Sequence, residues 1–354
     1  MATRTAPGSK KIETPRRRWR QAFILLIALG TAALTTLAGA YQFALSPVAA
    51  PGMRSAPTDF EVKAGEGLGA VARTLERRGL IRSALALRAH ARLRGLETRL
   101  KVGEYDLSPE LSTPRIAEIL ASGRVRTHPV VIPEGIRANE IADRLALAGL
   151  ADREAFLQIV LDPESPERFA VEGPTLEGYL FPDTYRFAKG LAATQIASAM
   201  VERFHEVYAE LRATMPESEL SMRELVTLGS IVEKETGAPE ERPLIASVFL
   251  NRMKRGMRLE TDPTVIYGIE NFDGNLRRVH LDDAGNPYNT YQIPGLPPGP
   301  IASPGRASLQ AVLEPADSPF LFFVSRNDGT HVFSKSYGEH ARAVVHFQKQ
   351  RRRR

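Results

Sequence analysis

The sequence predicts an α+β protein behind a single N-terminal membrane-spanning helix, and three observations carry that prediction. A strand–helix unit occurs twice at an offset of seventy residues. A charge-free apolar stretch runs from Gln21 to Leu45, and one well-capped helix near residue 230 places a glutamate on its apolar face. Hydrophobic residues at 43% and charged residues at 25% of 354 fit a packed chain and exclude a largely disordered one. The 25 prolines point to many ordered loops.

The apolar stretch is long enough to span, since about 20 apolar residues cross a bilayer. Arg16, Arg17, Arg18 and Arg20 precede it and only Arg54 follows before Asp59, so the positive-inside rule keeps the N-terminus cytoplasmic and exports the rest. Ala38-Gly39-Ala40 also fits a signal-peptide cleavage pattern, and that reading exports the body of the chain too. The absence of cysteine rules out a disulfide scaffold and a thiolate metal site. The formal net charge of +6 resides in the ends: the arm to Arg20 and the tail Arg351 to Arg354 together leave about −4 for the residues between. A folded body of that charge is not a nucleic-acid binder. Residues 1–20 read as a basic arm, 21–43 as the membrane helix, 44–57 as a Pro-rich linker and 351–354 as a basic tail.

The repeat begins after the linker. Phe60-Glu-Val-Lys-Ala-Gly65, Val71 to Leu75 and Gly79-Leu80 match Val131 to Gly135, Ile141 to Leu145 and Gly149-Leu150. Tyr105-Asp-Leu107, Leu111 and Ile116-Ala117 then recur as Tyr185-Arg-Phe187, Leu191 and Ile196-Ala197, at an offset of eighty. The second copy therefore carries about ten inserted residues, placed around Asp162 to Thr175 where three prolines mark loops. Gly65 and Gly135 read as turn glycines, the unit as scaffold ahead of a ligand-binding module, and Gly65-Glu-Gly67-Leu-Gly69 not as a phosphate loop.

The glutamate-bearing helix starts at an N-cap Ser221 with Glu224 completing a capping box, and ends near Gly237 before Pro239. At about 100° per residue, Leu228, Ile231 and Val232 fall within roughly 60° of Glu235, while Glu233 points to the opposite, solvent side. A carboxyl among apolar groups has its pKa raised by desolvation, which makes a general acid usable near neutral pH. A lone glutamate on such a face is more simply half of an ion pair, here with Arg252 or Arg255 of a next helix starting near Arg242. Two ordered loops shift that balance. Glu260 to Gly268 offers Asp262, Thr264 and Tyr267; Pro287 to Gln292 offers Tyr288, Asn289, Tyr291 and Gln292. Hydroxyls, amides and aromatic rings are what a sugar needs for hydrogen bonds and C–H stacking. Taken singly, each is more simply a turn or core residue.

Leu228-Gly-Ser-Ile-Val-Glu-Lys-Glu-Thr236, Ala246 to Arg252, Thr261-Asp-Pro-Thr-Val-Ile-Tyr-Gly268, Tyr288-Asn-Thr-Tyr291, Gly295-Leu-Pro-Pro-Gly-Pro-Ile301 and Glu177 to Tyr185 together resemble the endolytic murein transglycosylases of the YceG-like family. The likeness covers about Asp59 to Gln350. It implies an inner-membrane enzyme with a LysM-like βα subdomain at 58–125 and a catalytic α+β domain at 126–350, cutting nascent glycan strands of peptidoglycan internally. It implies Glu235 as the catalytic acid, with Glu233 as the alternative. Asn289, Tyr291 and Tyr267 are expected to hold the sugar, with Asp262, Thr264, Tyr288 and Glu233 as further substrate contacts. No cofactor or metal is expected. The expected partners are glycan strands, the inner membrane and peptidoglycan synthases or division proteins.

Overall fold

The computed structural model describes residues 15–50, 56–63, 65–215 and 218–349. The basic tail 351–354 and most of the basic arm lie outside the described residues. The chain divides into two compact units, one up to Arg126 and one from Thr127.

The first unit opens with α1 (Pro15–Leu45), and its Ala22–Leu45 portion is long and apolar enough to cross a membrane. There follow β1 (Thr58–Val62), α2 (Leu68–Arg77), α3 (Ala84–Leu93), β2 (Gly103–Leu107) and α4 (Thr113–Ser122). The two strands pair antiparallel with Phe60 opposite Tyr105, and alternate residues of both turn inward. Phe60, Val62, Leu75, Leu87, Tyr105, Leu107 and Ile116 form a core of their own. The segment after α1 departs from the expected linker: Leu45 is buried, Val48 and Ala49 donate backbone N–H groups to the Pro109 carbonyl, and Arg82 donates to the carbonyls of Pro47 and Val48. The backbone of such a segment still bonds to the folded unit whatever its side chains. Residues 51–55 of that linker are outside the described residues.

The second unit begins with β3 (Thr127–Val131), α5 (Ala138–Leu147), α6 (Arg153–Val160), the short α7 (Ser165–Arg168), β4 (Thr184–Ala188) and α8 (Ala193–Thr214). This is the order of the first unit again, strand–helix–helix–strand–helix, with α7 and its flanking loops as the insertion. The registers correspond as well: Val130 faces Tyr185 as Phe60 faces Tyr105. Each tyrosine donates its hydroxyl to the carbonyl four residues earlier, Tyr105 to Lys101 and Tyr185 to Phe181. Gly65 and Gly135 both take left-handed φ, +83° and +74°, which a side chain would strain.

Beyond the repeat come α9 (Met222–Glu235), a 3₁₀ turn (Pro239–Glu241), α10 (Arg242–Lys254), α11 (Asp262–Tyr267), α12 (Arg278–Leu281), α13 (Arg306–Leu313), the antiparallel strands β5 (Phe322–Ser325) and β6 (His331–Ser334), α14 (Tyr337–Val344) and a π-helical turn (Val345–Lys349). Ser221 and Glu224 form the expected capping box on α9, with bonds of 3.2 and 2.9 Å. The helix is not half-exposed as its pattern implies, because every residue from Leu225 to Val232 is buried. α10, α11 and α13 surround it, and α13 comes so close that a Cβ on Gly229 would lie 2.9 Å from Leu309. Glycine and serine on the second face admit a neighbouring helix rather than water.

Candidate active site

Glu235 is the last residue of α9 and is half-buried as a residue. Burial raises its pKa; a hydrogen bond donated by the Thr261 hydroxyl opposes that, the nearby Asp262 charge adds to it, and His331 opposes it. Its place at the C-terminal end of a helix adds a further bias, because the exposed carbonyl dipoles there disfavour an anion. Arg252, one expected ion-pair partner, is turned elsewhere: it is buried, donates to the carbonyls of Leu321, Arg258 and Leu259, and meets the Glu260 carboxylate at 3.1 Å.

Glu233 reverses the expectation of a solvent-facing acid. Its side chain is 9% exposed. One oxygen accepts the Gly305 N–H at 3.1 Å and the Ser308 hydroxyl at 2.7 Å, and the other faces Arg242 at 3.5 Å. It therefore caps the start of α13, where unpaired N–H groups favour a negative charge. Both of its oxygens are thus engaged by groups of the fold.

The loop residues sort into two groups. Asp262 is exposed beside Glu235 and accepts the Tyr291 hydroxyl at 2.8 Å. Burial, then Asp262, pushes the Tyr291 phenol upward, so it remains a donor. Thr264 and Asn289, both 0% exposed, instead hold the wall together. The Thr264 hydroxyl bonds to the Thr261 carbonyl and the Thr290 hydroxyl, each at 2.8 Å. The Asn289 amide nitrogen lies within bonding distance of the carbonyls of His280, Leu281 and Asp283, and its oxygen accepts the Tyr291 N–H. Buried amides spend their capacity on backbone groups because leaving those unpaired costs about 1–3 kcal/mol each. Asn289 and Thr264, expected as sugar contacts, thus have buried side chains engaged within the wall.

Tyr267 and Tyr288 belong to another cluster, at the far end of α11. Their rings lie 4.7 Å apart, and the Arg137 guanidinium sits 5.0 Å over Tyr267. The Tyr267 hydroxyl reaches the Glu177 carboxyl at 3.4 Å, and the same carboxyl accepts the Ala138 N–H at the start of α5. Glu177 is buried, and desolvation raises its pKa to about 7 against the pull of the Ala138 N–H and Arg137.

Three participants escape a sequence reading. The composition of the polar loops cannot say which hydroxyl meets the acid; Thr261 does, from a backbone bonded at its own N–H to the Thr290 hydroxyl. The residue before it, Glu260, adopts φ +52°, a left-handed conformation rare outside glycine, fixed by its N–H on the Thr290 carbonyl. His331 and Glu177 are single titratable residues whose partners are distant in sequence. Among the described residues no group of three or more His, Cys, Asp or Glu is arranged to hold a metal ion.

Residues 60–346 match the YceG-like family. The chain belongs to that family. As a YceG-like protein it is 30% identical over 303 residues to an endolytic murein transglycosylase of Bacillus subtilis, covering 80% of this chain and 83% of the relative. An endolytic murein transglycosylase of Streptococcus pneumoniae is 29% identical over 312 residues, covering 79% of this chain and 56% of that one. A crystal structure of a putative yceG-like protein from Listeria monocytogenes superposes with a TM-score of 0.56 at 32% identity, covering 82% of this chain and all of the other.

Proposed function

We propose that the chain is an endolytic peptidoglycan lytic transglycosylase in which Glu235 is the acid and then the base. The observation that carries this is the half-buried Glu235, whose carboxyl has a raised pKa and is hydrogen-bonded by Thr261 beside the Asp262–Tyr291 pair. The names of the relatives supply the substrate class. Protonated Glu235 gives its proton to the glycosidic oxygen of a MurNAc-β-1,4-GlcNAc bond as that bond breaks. The resulting carboxylate takes the proton from the MurNAc C6 hydroxyl as its oxygen bonds to the anomeric carbon, leaving a 1,6-anhydro end with no water consumed. The intramolecular nucleophile replaces the second carboxylate of ordinary glycosidases, and its proximity supplies much of the rate.

The apolar span Ala22–Leu45 after the arginine cluster supports an inner-membrane anchor with a cytoplasmic N-terminus and a periplasmic catalytic unit. The strand–helix–helix–strand order of the first unit supports a LysM-like subdomain. Cutting nascent strands would end their elongation, beside peptidoglycan synthases or division proteins.

Glu235→Gln on purified peptidoglycan tests the acid: cleavage is expected to be lost while strand binding remains. One rival rests on a specific observation, the exposed Asp262 acting on Glu235, which fits a two-carboxylate hydrolase. Mass spectrometry of wild-type products separates the two, since reducing ends in place of anhydro-MurNAc ends would overturn the transglycosylase reading.

A further inference from the structure

Thr261 is the N-cap residue of α11, and its hydroxyl does something other than cap. A threonine at that place ordinarily turns its oxygen to a backbone N–H of the first helical turn. Here no side-chain cap bond forms, and the hydroxyl donates to Oε1 of Glu235 instead. The residue is 2% exposed, and the chain enters it through the left-handed Glu260. A forgone cap and a strained entry both cost stability, and what they place is one hydroxyl on one carboxyl.

Two further hydroxyls close a ring around the Thr261 backbone. The Thr261 N–H donates to the Thr290 hydroxyl at 3.1 Å. The Thr264 hydroxyl lies 2.8 Å from the Thr261 carbonyl and 2.8 Å from the Thr290 hydroxyl. A carbonyl only accepts, so the one hydroxyl proton of Thr264 goes to Thr261, and Thr290 must donate to Thr264. Every proton of the ring is thereby assigned, and Thr264 and Thr290 are both fully buried. The ring also joins the two polar loops. Asp262 follows Thr261 and Tyr291 follows Thr290, and their side chains meet at 2.8 Å, so one clamp sets both the hydroxyl on Glu235 and the neighbouring polar pair.

We propose that Thr261, clamped by Thr264 and Thr290, is a positioning residue that acts through Glu235: its hydroxyl occupies Oε1 and so leaves the transferable proton on Oε2, toward the glycosidic oxygen. The proposal rests on Glu235 being the acid. When the proton leaves Oε2 and the glycosidic bond breaks, Oε1 shares the new charge and the bond from Thr261 becomes charge-assisted and stronger. When the C6 hydroxyl closes the anhydro ring, its proton returns to Oε2 and that bond relaxes. Thr261 keeps its own proton throughout, and an interaction that is strongest in the charged state favours the transition state over the bound strand.

The test compares full-length wild type with Thr261→Val, Thr261→Ser, Thr264→Val and Thr264→Ser, reading kcat and KM as anhydro-MurNAc ends released from purified peptidoglycan. Thr261→Val deletes only the bond to Glu235, since the ring uses the backbone of this residue. It should lower kcat about 100-fold with KM within about twofold, and Thr261→Ser should recover all but a few-fold of the loss. Thr264→Val opens the ring without touching Glu235 and should lower kcat about tenfold, again recovered by serine. In acid solution the C=O stretch of protonated Glu235, isolated by infrared difference against Glu235→Gln, should rise in frequency in Thr261→Val and stay in place in Thr261→Ser, because a donor on Oε1 weakens that bond. If circular dichroism shows that Thr261→Val does not fold, Thr261→Ala, which adds no atom to the buried site, takes its place with the same expectations. Rates within a few-fold of wild type in Thr261→Val, an unmoved band, or equal losses in the valine and serine variants would mean that the threonines only shape the loops, and the proposal fails. Full activity in Glu235→Gln would instead overturn the assignment of the acid.

Discussion

Two glutamates two residues apart on one helix have opposite fates, and the difference lies in what each carboxyl meets. Glu235 meets a single hydroxyl, whereas Glu233 meets an N–H, a hydroxyl and a guanidinium. Angular arithmetic correctly separates them onto different faces. It assigns the wrong environment to Glu233 because the partner helix starts some seventy residues later, beyond any local pattern. Glu233→Gln is expected to lower stability by about 1–2 kcal/mol, as lost caps do, and to change kcat only a few-fold; thermal melts beside initial rates check this. The raised pKa of Glu235 predicts a rate that falls as pH rises through it, since only the protonated form donates. Asn289 teaches the same lesson as Glu233: its residue type suits a sugar, but three backbone carbonyls claim its amide.

At the scale of the element, α11 links two clusters. Its N-cap residue Thr261 holds Glu235, and its last residue Tyr267 is bonded to Glu177. The sequence shows this segment as an ordered polar loop, since Pro263 and the turn-forming residues around it obscure a helix of six residues. Glu177 carries a stability signature. Its folded pKa of about 7 lies above the ordinary 4.5, so the folded chain holds this proton where the unfolded chain has released it. The contribution is complete below pH 4.5 and is lost as pH rises toward about 7. Glu177→Gln should remove that decline, raising stability above neutrality relative to wild type by up to about 3 kcal/mol, read as melting temperature against pH for both proteins. The β5–β6 hairpin offers a second test. Gly237→Ala drives a Cβ into the Gly329 carbonyl and should cost about 1–3 kcal/mol with a marked loss of activity, whereas the exposed Gly256, which has open space around it but φ +66°, should lose only about 1 kcal/mol as alanine and keep its rate.

For the whole molecule, the repeat, the capped helix and the apolar span were legible because each is written in local periodicity or in matched spacing. The division of labour within the wall was not, because it depends on contacts between segments tens of residues apart. The two units have separate cores, one built around Phe60 and Tyr105 and the other around Phe156 and Phe204. Calorimetry should therefore resolve two transitions, with Phe60→Ala destabilising the first unit by about 3–5 kcal/mol and leaving the second in place. A single transition shifted as a whole would contradict this. The insertion that distinguishes the second copy of the repeat ends in the segment that buries Leu176, Tyr179 and Leu180, delivers Glu177 to α5, and brings Gly178 so close to Pro300 that a Cβ would lie 2.3 Å from the ring. Among the described residues the first copy shows no such fastener. That segment fastens the second copy to the residues around Pro300 and α9, so resizing it is expected to cost more stability than resizing any hairpin within the first copy.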